Sequence, residues 1–248
     1  MTKVILVTGG SGGIGKATAL LAAKKGYLTC VHYHSNKEEA DETVREINDA
    51  GGKAIAAGAD VSKEDEVKLL FSTVDEKLGR ITALVNNAGV LGKKTTVADI
   101  TAERLQWMFS INVMGSFFCA GEAVKRMSLS NGGNGGSIVN VSSKAAVHGS
   151  PGEYVDYAAS KGAIDTFTVG LAKEVAEEGI RVNAVRPGVI YTNIHALGGE
   201  ADRVNRIKPT IPMKRGGYPE EVANSILWLL SDEASYITAT ILDVAGGR

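Results

Sequence analysis

The chain has 248 residues, 44% hydrophobic and 22% charged, enough to bury a sizeable core without disulfide or metal staples. Lys plus Arg number 27 against 28 Asp plus Glu, a net charge of −1, which argues against a nucleic-acid binder working by phosphate neutralisation. Two cysteines, Cys30 and Cys119, exclude a secreted disulfide framework and a multi-cysteine zinc site.

The elements alternate along the whole chain. A buried strand at 4–8 leads through glycines into a helix at 15–25. A strand at 29–33 and a helix at 37–50 follow, then a strand at 54–59 and a helix at 64–78. The next pairs are strand 83–86 with helix 102–127 and strand 137–142 with helix 157–178. A strand at 181–186, a helix at 219–230 and a last strand at 237–244 close the pattern. Strand and helix in alternation predict an α/β fold, a doubly wound parallel sheet of about seven strands with helices on both faces, in one domain over 1–248. The segment 196–218 lacks a clear period and reads as a lid or substrate loop. The first apolar run is too short for a signal peptide, and no stretch nears the ~20 apolar residues of a membrane span. No membrane partner is expected, and the cytoplasm is the expected compartment.

After the first strand, residues 9–15 hold five glycines in seven positions. A glycine turn between strand and helix brings backbone N–H groups to a helix N-terminus, where an anion is favoured. Two other readings stand beside this one. Gly10 to Lys16 matches the start of a P-loop, but Ala17 stands where Ser or Thr should hold magnesium. A plain tight turn is the bland alternative, though it needs fewer glycines.

Tyr157 and Lys161 are four apart and share a helix face. A free phenol, with a pKa of about 10, is a poor base at neutral pH; a neighbouring ammonium stabilises the phenolate and is expected to lower that value. The tuned phenol then exchanges a proton with a carbonyl or alcohol. The alternative is an ordinary helix face. Asp60, at the end of the third strand, is a candidate helix cap, as is Ser62. Asn86 to Gly89, taken alone, is a turn.

Thr8, Gly9, Gly13 and Gly15 fit Thr-Gly-x-x-x-Gly-x-Gly, and Asn86-Asn87-Ala88-Gly89, Asn112, Ser143, Tyr157-x-x-x-Lys161 and Pro187-Gly188 follow in order. With these motifs the chain resembles the short-chain dehydrogenase/reductase family over its whole length, especially glucose 1-dehydrogenase-like and 3-oxoacyl-carrier-protein reductase-like members. The resemblance implies an NAD(P)-dependent enzyme acting on CH–OH groups, with Asn112, Ser143, Tyr157 and Lys161 as the catalytic set. Tyr157 is then the acid/base, Lys161 tunes it and holds the nicotinamide ribose, Ser143 positions the substrate oxygen (Ser142 is the adjacent alternative), and Asn112 supports a proton-relay water. A buried amide bracing a helix kink is the other reading of Asn112. The cofactor groove implied comprises Gly9, Ser11, Gly12, Gly13, Ile14 and Gly15, then Tyr33, His34, Ser35 and Asn36. Further along it takes Asp60, Val61, Asn87, Ala88 and Gly89, and finally Pro187, Gly188, Ile190 and Thr192. Asp60 holds the adenine amino group in this pattern.

An acid at the end of the second strand would select NAD through the ribose hydroxyls. Tyr33 stands there, with Ser35, Asn36 and Lys37 close behind. NADP(H) is therefore the preferred cofactor, with NAD(H) as the second. The substrate pocket is expected from His148, Tyr154, Tyr191, His195 and the segment 196–218. No histidine shows zinc spacing with a cysteine, so no metal is expected. The partner is a small carbonyl or alcohol substrate. The long helix ends with only Lys125 and Arg126, which weakens a carrier-protein partner. The resemblance implies a homotetramer with the helices 102–127 and 157–178 at the interface. The competing class is a non-catalytic NADP-binding sensor or scaffold, against which the full Ser143, Tyr157 and Lys161 set speaks.

Overall fold

A computed structural model describes residues 2–248. Seven parallel strands form one sheet: β1 (Val4–Val7), β2 (Leu28–Tyr33), β3 (Lys53–Gly58), β4 (Ala83–Asn86), β5 (Gly136–Val141), β6 (Ile180–Pro187) and β7 (Ile241–Val244). Their order across the sheet is β3-β2-β1-β4-β5-β6-β7. The order reverses between β1 and β4, and the crevice outside the C-terminal ends of strands at such a point is where doubly wound folds bind ligands.

Ten α-helices connect the strands: α1 (Gly13–Lys24), α2 (Lys37–Asp49), α3 (Glu64–Lys77), α4 (Ala102–Phe109), α5 (Gly115–Met127), α6 (Ala145–His148), α7 (Val155–Glu174), α8 (Ile194–Leu197), α9 (Arg203–Ile207) and α10 (Pro219–Leu230). The sheet is buried on both faces, so β1 is apolar at every position. Alternation still sorts its side chains. Leu6 joins Val67, Phe71, Leu84, Cys119 and Ile138 on the α3–α5–α7 face. Ile5 and Val7 join Ala19, Val85, Val139, Ile226 and Leu229 on the α1–α2–α10 face. A third, smaller cluster of Val189, Val204, Ile207 and Ile211 gives the 196–218 region its own core.

Three expected elements differ. The helix at 102–127 is interrupted by a π-helical turn at Ser110–Met114, which carries Asn112 inward, fully buried. The strand at 237–244 is paired only from Ile241, because the segment before it turns at Ala239 with a positive φ of 62°. The helix at 157–178 begins at Val155 and gives way after Glu174 to a separate short turn at Ala176–Glu178. No helix among the described residues is long and apolar enough to cross a membrane.

Candidate active site

The glycine loop is clamped at the C-terminal end of β1. Gly9 and Gly13 have positive φ angles of 61° and 50°, a region that favours glycine. A Cβ at position 15 would lie 2.0 Å from the Gly9 carbonyl, so only glycine lets the helix start this close to the turn. The Gly9 N–H donates to Nδ1 of His32 at 3.0 Å, and the Gly10 N–H donates to the His32 carbonyl at 2.8 Å. Since Nδ1 accepts, Nε2 carries the proton and donates to the Ala59 carbonyl at 3.0 Å. Burial pushes the His32 pKa down to about 4, keeping the ring neutral. From the other side, Asn87 Nδ2 donates to the carbonyls of Thr8 and Gly9 at 2.9 and 3.0 Å. The Thr8 hydroxyl accepts the N–H groups of Asn87 and Ala88 at 2.9 and 3.0 Å.

Helix α1 has no side-chain cap and no acid in its first turn. Its first N–H groups, around Gly13, Ile14 and Gly15, lack intrahelical acceptors and are matched to an anion. These features fit the pyrophosphate of a dinucleotide, with Ser11 and Gly12 on the open side of the turn. The P-loop reading fails. Lys16 Nζ is drawn 2.7 Å from Glu46, and the Thr18 hydroxyl donates to the Ile14 carbonyl at 2.7 Å.

At the outer end of the groove the Tyr33 ring lies across Gly58, where a Cβ would meet it at 2.9 Å. His34, Ser35 and Asn36 are exposed. Asn36 Nδ2 donates to Glu39 Oε2 at 3.2 Å, and that oxygen lies 4.0 Å from the space a Cβ at Gly12 would fill. Asp60 Oδ1 accepts from the Ser62 N–H and hydroxyl at 3.0 and 2.7 Å. Burial acts to raise the Asp60 pKa, but the Ser62 bonds and the charges of His34 and Lys63 hold it below the usual value. The N-terminal boundary of α3 falls at Lys63 with no side-chain cap, so neither Asp60 nor Ser62 caps the helix. Val61 is buried and packs where a side chain at Gly115 would sit.

The inner end opens into a cavity of about 430 Å³, lined by Ser143, Tyr157 and Lys161 together with Asn87, Gly89, Ile14, Pro187, Gly188, Ile190 and Thr192. Residues as far apart in sequence as Ile14 and Thr192 thus meet at one place. Thr192 Cγ2 lies 3.1 Å from the space above Gly13, so the loop after β6 closes over the glycine turn. Lys161 Nζ donates to the Val141 carbonyl at 2.7 Å and lies 5.8 Å from the centre of the Tyr157 ring. Both serines border the cavity, but Ser142 is buried and spends its hydroxyl proton on the Lys161 carbonyl at 3.1 Å, while the Ser143 hydroxyl accepts the Ala145 N–H at 3.1 Å and keeps its own proton to donate.

Two expectations change at this end. Burial pushes the Tyr157 phenol above its ordinary value, and the opposing effects of Ser143 and Arg203 do not overcome it. The phenol is thus not brought below its ordinary value, and Lys161 is itself removed from water and falls to about 8, with Asp165 working against that fall. Asn112 spends its side chain as a brace. It accepts the Val90 N–H at 2.8 Å and donates to the Val90 carbonyl and to Ser160 Oγ, both at 3.1 Å. The amide therefore fixes the loop after β4 against α7, beside Lys161.

The cavity's far wall comes from the 192–210 region. His195 lies on it, and Tyr154 and His148 also line the cavity. His195 Nε2 bonds the Ile190 carbonyl at 3.1 Å, so Nδ1 is the bare nitrogen, buried without a partner. Tyr191 is not brought in. A bridge pairs Ile190 with Gly217, so Ile190 faces the cavity and the next side chain turns outward onto Gly216 and Tyr218. Sequence reasoning missed His32, Glu39, Arg203 and the Arg104–Asp156 pair. Arg104 Nε donates to Asp156 at 2.6 Å, and the Asp156 side chain is fully buried one residue before Tyr157. A lone acid preceding the motif tyrosine was the available signal for that pair; the others gave none.

A family model described as enoyl-(acyl carrier protein) reductase matches residues 9–248. The uncharacterized oxidoreductase YgfF of Escherichia coli K12 is 58% identical over 99% of this chain and 99% of its own length. Glucose 1-dehydrogenase 2 of Bacillus subtilis is 41% identical, covering 99% of this chain and 94% of its own. A crystal structure of acetoin dehydrogenase YohF from Salmonella typhimurium superposes with a TM-score of 0.88 at 35% identity, over 100% of this chain and 97% of that one. The parallel sheet, the clamped glycine turn and these relatives agree: the chain belongs to the short-chain dehydrogenase/reductase family of oxidoreductases, whose members use nicotinamide cofactors.

Proposed function

We propose that the protein transfers a hydride between NADP(H) and a small carbonyl or secondary alcohol, with Tyr157 as general acid/base. The observation that carries this is the convergence of Ser143, Tyr157 and Lys161 on one cavity continuous with the glycine loop. The first turn of α1 holds the pyrophosphate, and Asn87, Gly89, Pro187, Gly188, Ile190 and Thr192 border the nicotinamide end. When bound, the nicotinamide supplies the hydride to the carbonyl carbon or takes it from the carbinol. In reduction, Tyr157 gives its phenolic proton to the carbonyl oxygen, whose π bond opens to an alcohol. Ser143 holds that oxygen beside the phenol. Lys161, with a pKa near 8, keeps its ammonium at neutral pH and stabilises the phenolate left behind. Asn112 positions Val90 and Ser160 around this centre.

NADP(H) preference rests on Tyr33, which leaves no acid on the last residue of β2, and on the exposed His34, Ser35 and Asn36 beside it. Glu39 is the counterweight. Lys125 and Arg126 are engaged by Glu122 and Asp75, which supports a small-molecule partner over a carrier protein. Leu105, Trp107, Met114 and Phe117 are exposed along α4, the π turn and α5, and Phe117 stacks on Phe167 of α7 at 3.8 Å. This apolar face supports the homotetramer. The buried free thiols of Cys30 and Cys119 support a reducing, cytoplasmic compartment. The test is oxidation of NADPH and NADH in parallel across aldehydes, ketones, quinones, sugar carbonyls and 3-oxoacyl thioesters. At least about tenfold higher kcat/KM with NADPH is expected. Equal use of both cofactors overturns the preference, and no turnover with either overturns the reading.

A further inference from the structure

We infer that the substrate carries an anionic oxygen group, and that Arg203 receives it at the wall of the cavity facing Tyr157. The inference rests on the reading above and adds the substrate's chemical class.

Arg203 is the first residue of α9 and only 9% exposed. Its Nη1 meets Glu153 and Glu200, each at 2.9 Å. Both ion pairs leave from that single nitrogen and the guanidinium lies over the Tyr154 ring at 4.6 Å, so the rest of the five-donor fork is matched by no carboxylate. Arg206 shares the same two acids, at 3.0 and 2.9 Å, and Lys94 reaches Glu153 at 3.2 Å. Three cations therefore divide two carboxylates. A clasp holding α9 to the loop before α7 needs only two cations for two acids.

Arg248 lines the same cavity, and burial, then repulsion from Arg203, depress its pKa, with Glu153 opposing. The positive charge of Arg203 also reaches Tyr157 and His195, lowering the pKa of each behind the dominant effect of burial. The surplus charge is thus felt at the reacting phenol, inside a space partly removed from water. An excess of cations over carboxylates at a half-dry wall is costly, and an arriving anion balances it while a neutral substrate does not. Arginine suits this task because its planar fork binds carboxylate and phosphate oxygens in pairs.

The test uses matched ketones that differ in one charge. Acetoacetate and levulinate are each run beside their methyl esters, and dihydroxyacetone phosphate beside dihydroxyacetone, at saturating NADPH. The wild type is expected to favour the charged member of at least one pair by about 10- to 100-fold in kcat/KM. The carboxylate and phosphate pairs show which anion fits. In Arg203→Gln that ratio collapses toward one, through KM rather than kcat. Arg203→Lys restores part of it, and a melting curve checks that each variant is folded. Neutral members reduced in a Tyr157-dependent way as well as the charged ones overturn this inference alone. So does a ratio that Arg203→Gln leaves intact. No Tyr157-dependent reduction of any probe overturns this inference together with the reading on which it rests.

Discussion

At the glycine loop, position is held by backbone groups. The Gly9 N–H is fixed on His32, the Thr8 and Gly9 carbonyls on Asn87, and position 15 leaves no space for a methyl. Across the cleft, at 192–210, position is held by long charged side chains: Arg203, Arg206, Glu153 and Glu200. The first region has a single arrangement set by contacts within about 3 Å, and a change of one atom is felt. The second has flexible parts around its own small core of Val189, Val204, Ile207 and Ile211, and can be re-cut without moving the sheet. On the proposed function, the side that binds the cofactor is the stiff one and the wall that meets the substrate is the adjustable one.

Substitutions that test this contrast should fall in order of size. Gly15→Ala forces the loop away from Gly9 and should weaken dinucleotide binding by about 100-fold while costing about 3 kcal/mol of stability. Fluorescence titration with NADPH and a denaturant melt read the two effects. An undisturbed affinity would break the claim that this side is rigid. Arg104→Met strands the fully buried Asp156 and should cost about 3 kcal/mol, with kcat reduced because the start of α7 carries Tyr157.

Acid should loosen the glycine loop through His32. Its folded pKa of about 4 lies below the unfolded value of about 6.5, so the unfolded chain binds the proton more readily. The stability held by neutral His32 is complete above about pH 6.5 and is lost as pH falls toward 4, by up to about 3 kcal/mol. Melts of the wild type between pH 7 and pH 4.5 should show this steeper loss, and a His32→Asn variant should lack it. The smallest effect belongs to the adjustable wall. Lys94→Ala removes a half-exposed ion pair and should change stability by less than about 1 kcal/mol. A loss as large as that of Arg104→Met would erase the distinction between the regions.

Much of the stiff side was legible in the sequence, because rigid backbone demands special residues. Glycines at 9, 13 and 15, the apolar run Val4–Val7 and the Tyr157–Lys161 spacing are local signals of non-local geometry. The adjustable side left little trace. Helices α8 and α9 have 4 and 5 residues, too short to display a period, and Arg203 among ordinary charges gives no hint that it will be buried. Tyr191 was misplaced because its direction depends on a single bridge between the preceding Ile190 and Gly217, 27 residues apart. The π turn around Asn112 was hidden for a related reason: one extra residue in a helix preserves the apolar pattern on either side. The pKa of Tyr157 was misread because spacing reveals a neighbouring ammonium but not how far both groups are withdrawn from water.

The central claim is that Tyr157 performs the proton transfer in a site assembled independently of its hydroxyl. The most direct measurement pairs NADPH affinity with steady-state turnover in the wild type and Tyr157→Phe, using a carbonyl the wild type reduces. Cofactor affinity within about twofold of wild type and a fall in kcat of about 1,000-fold are expected. Turnover surviving in the phenylalanine variant, with cofactor still bound, would contradict it.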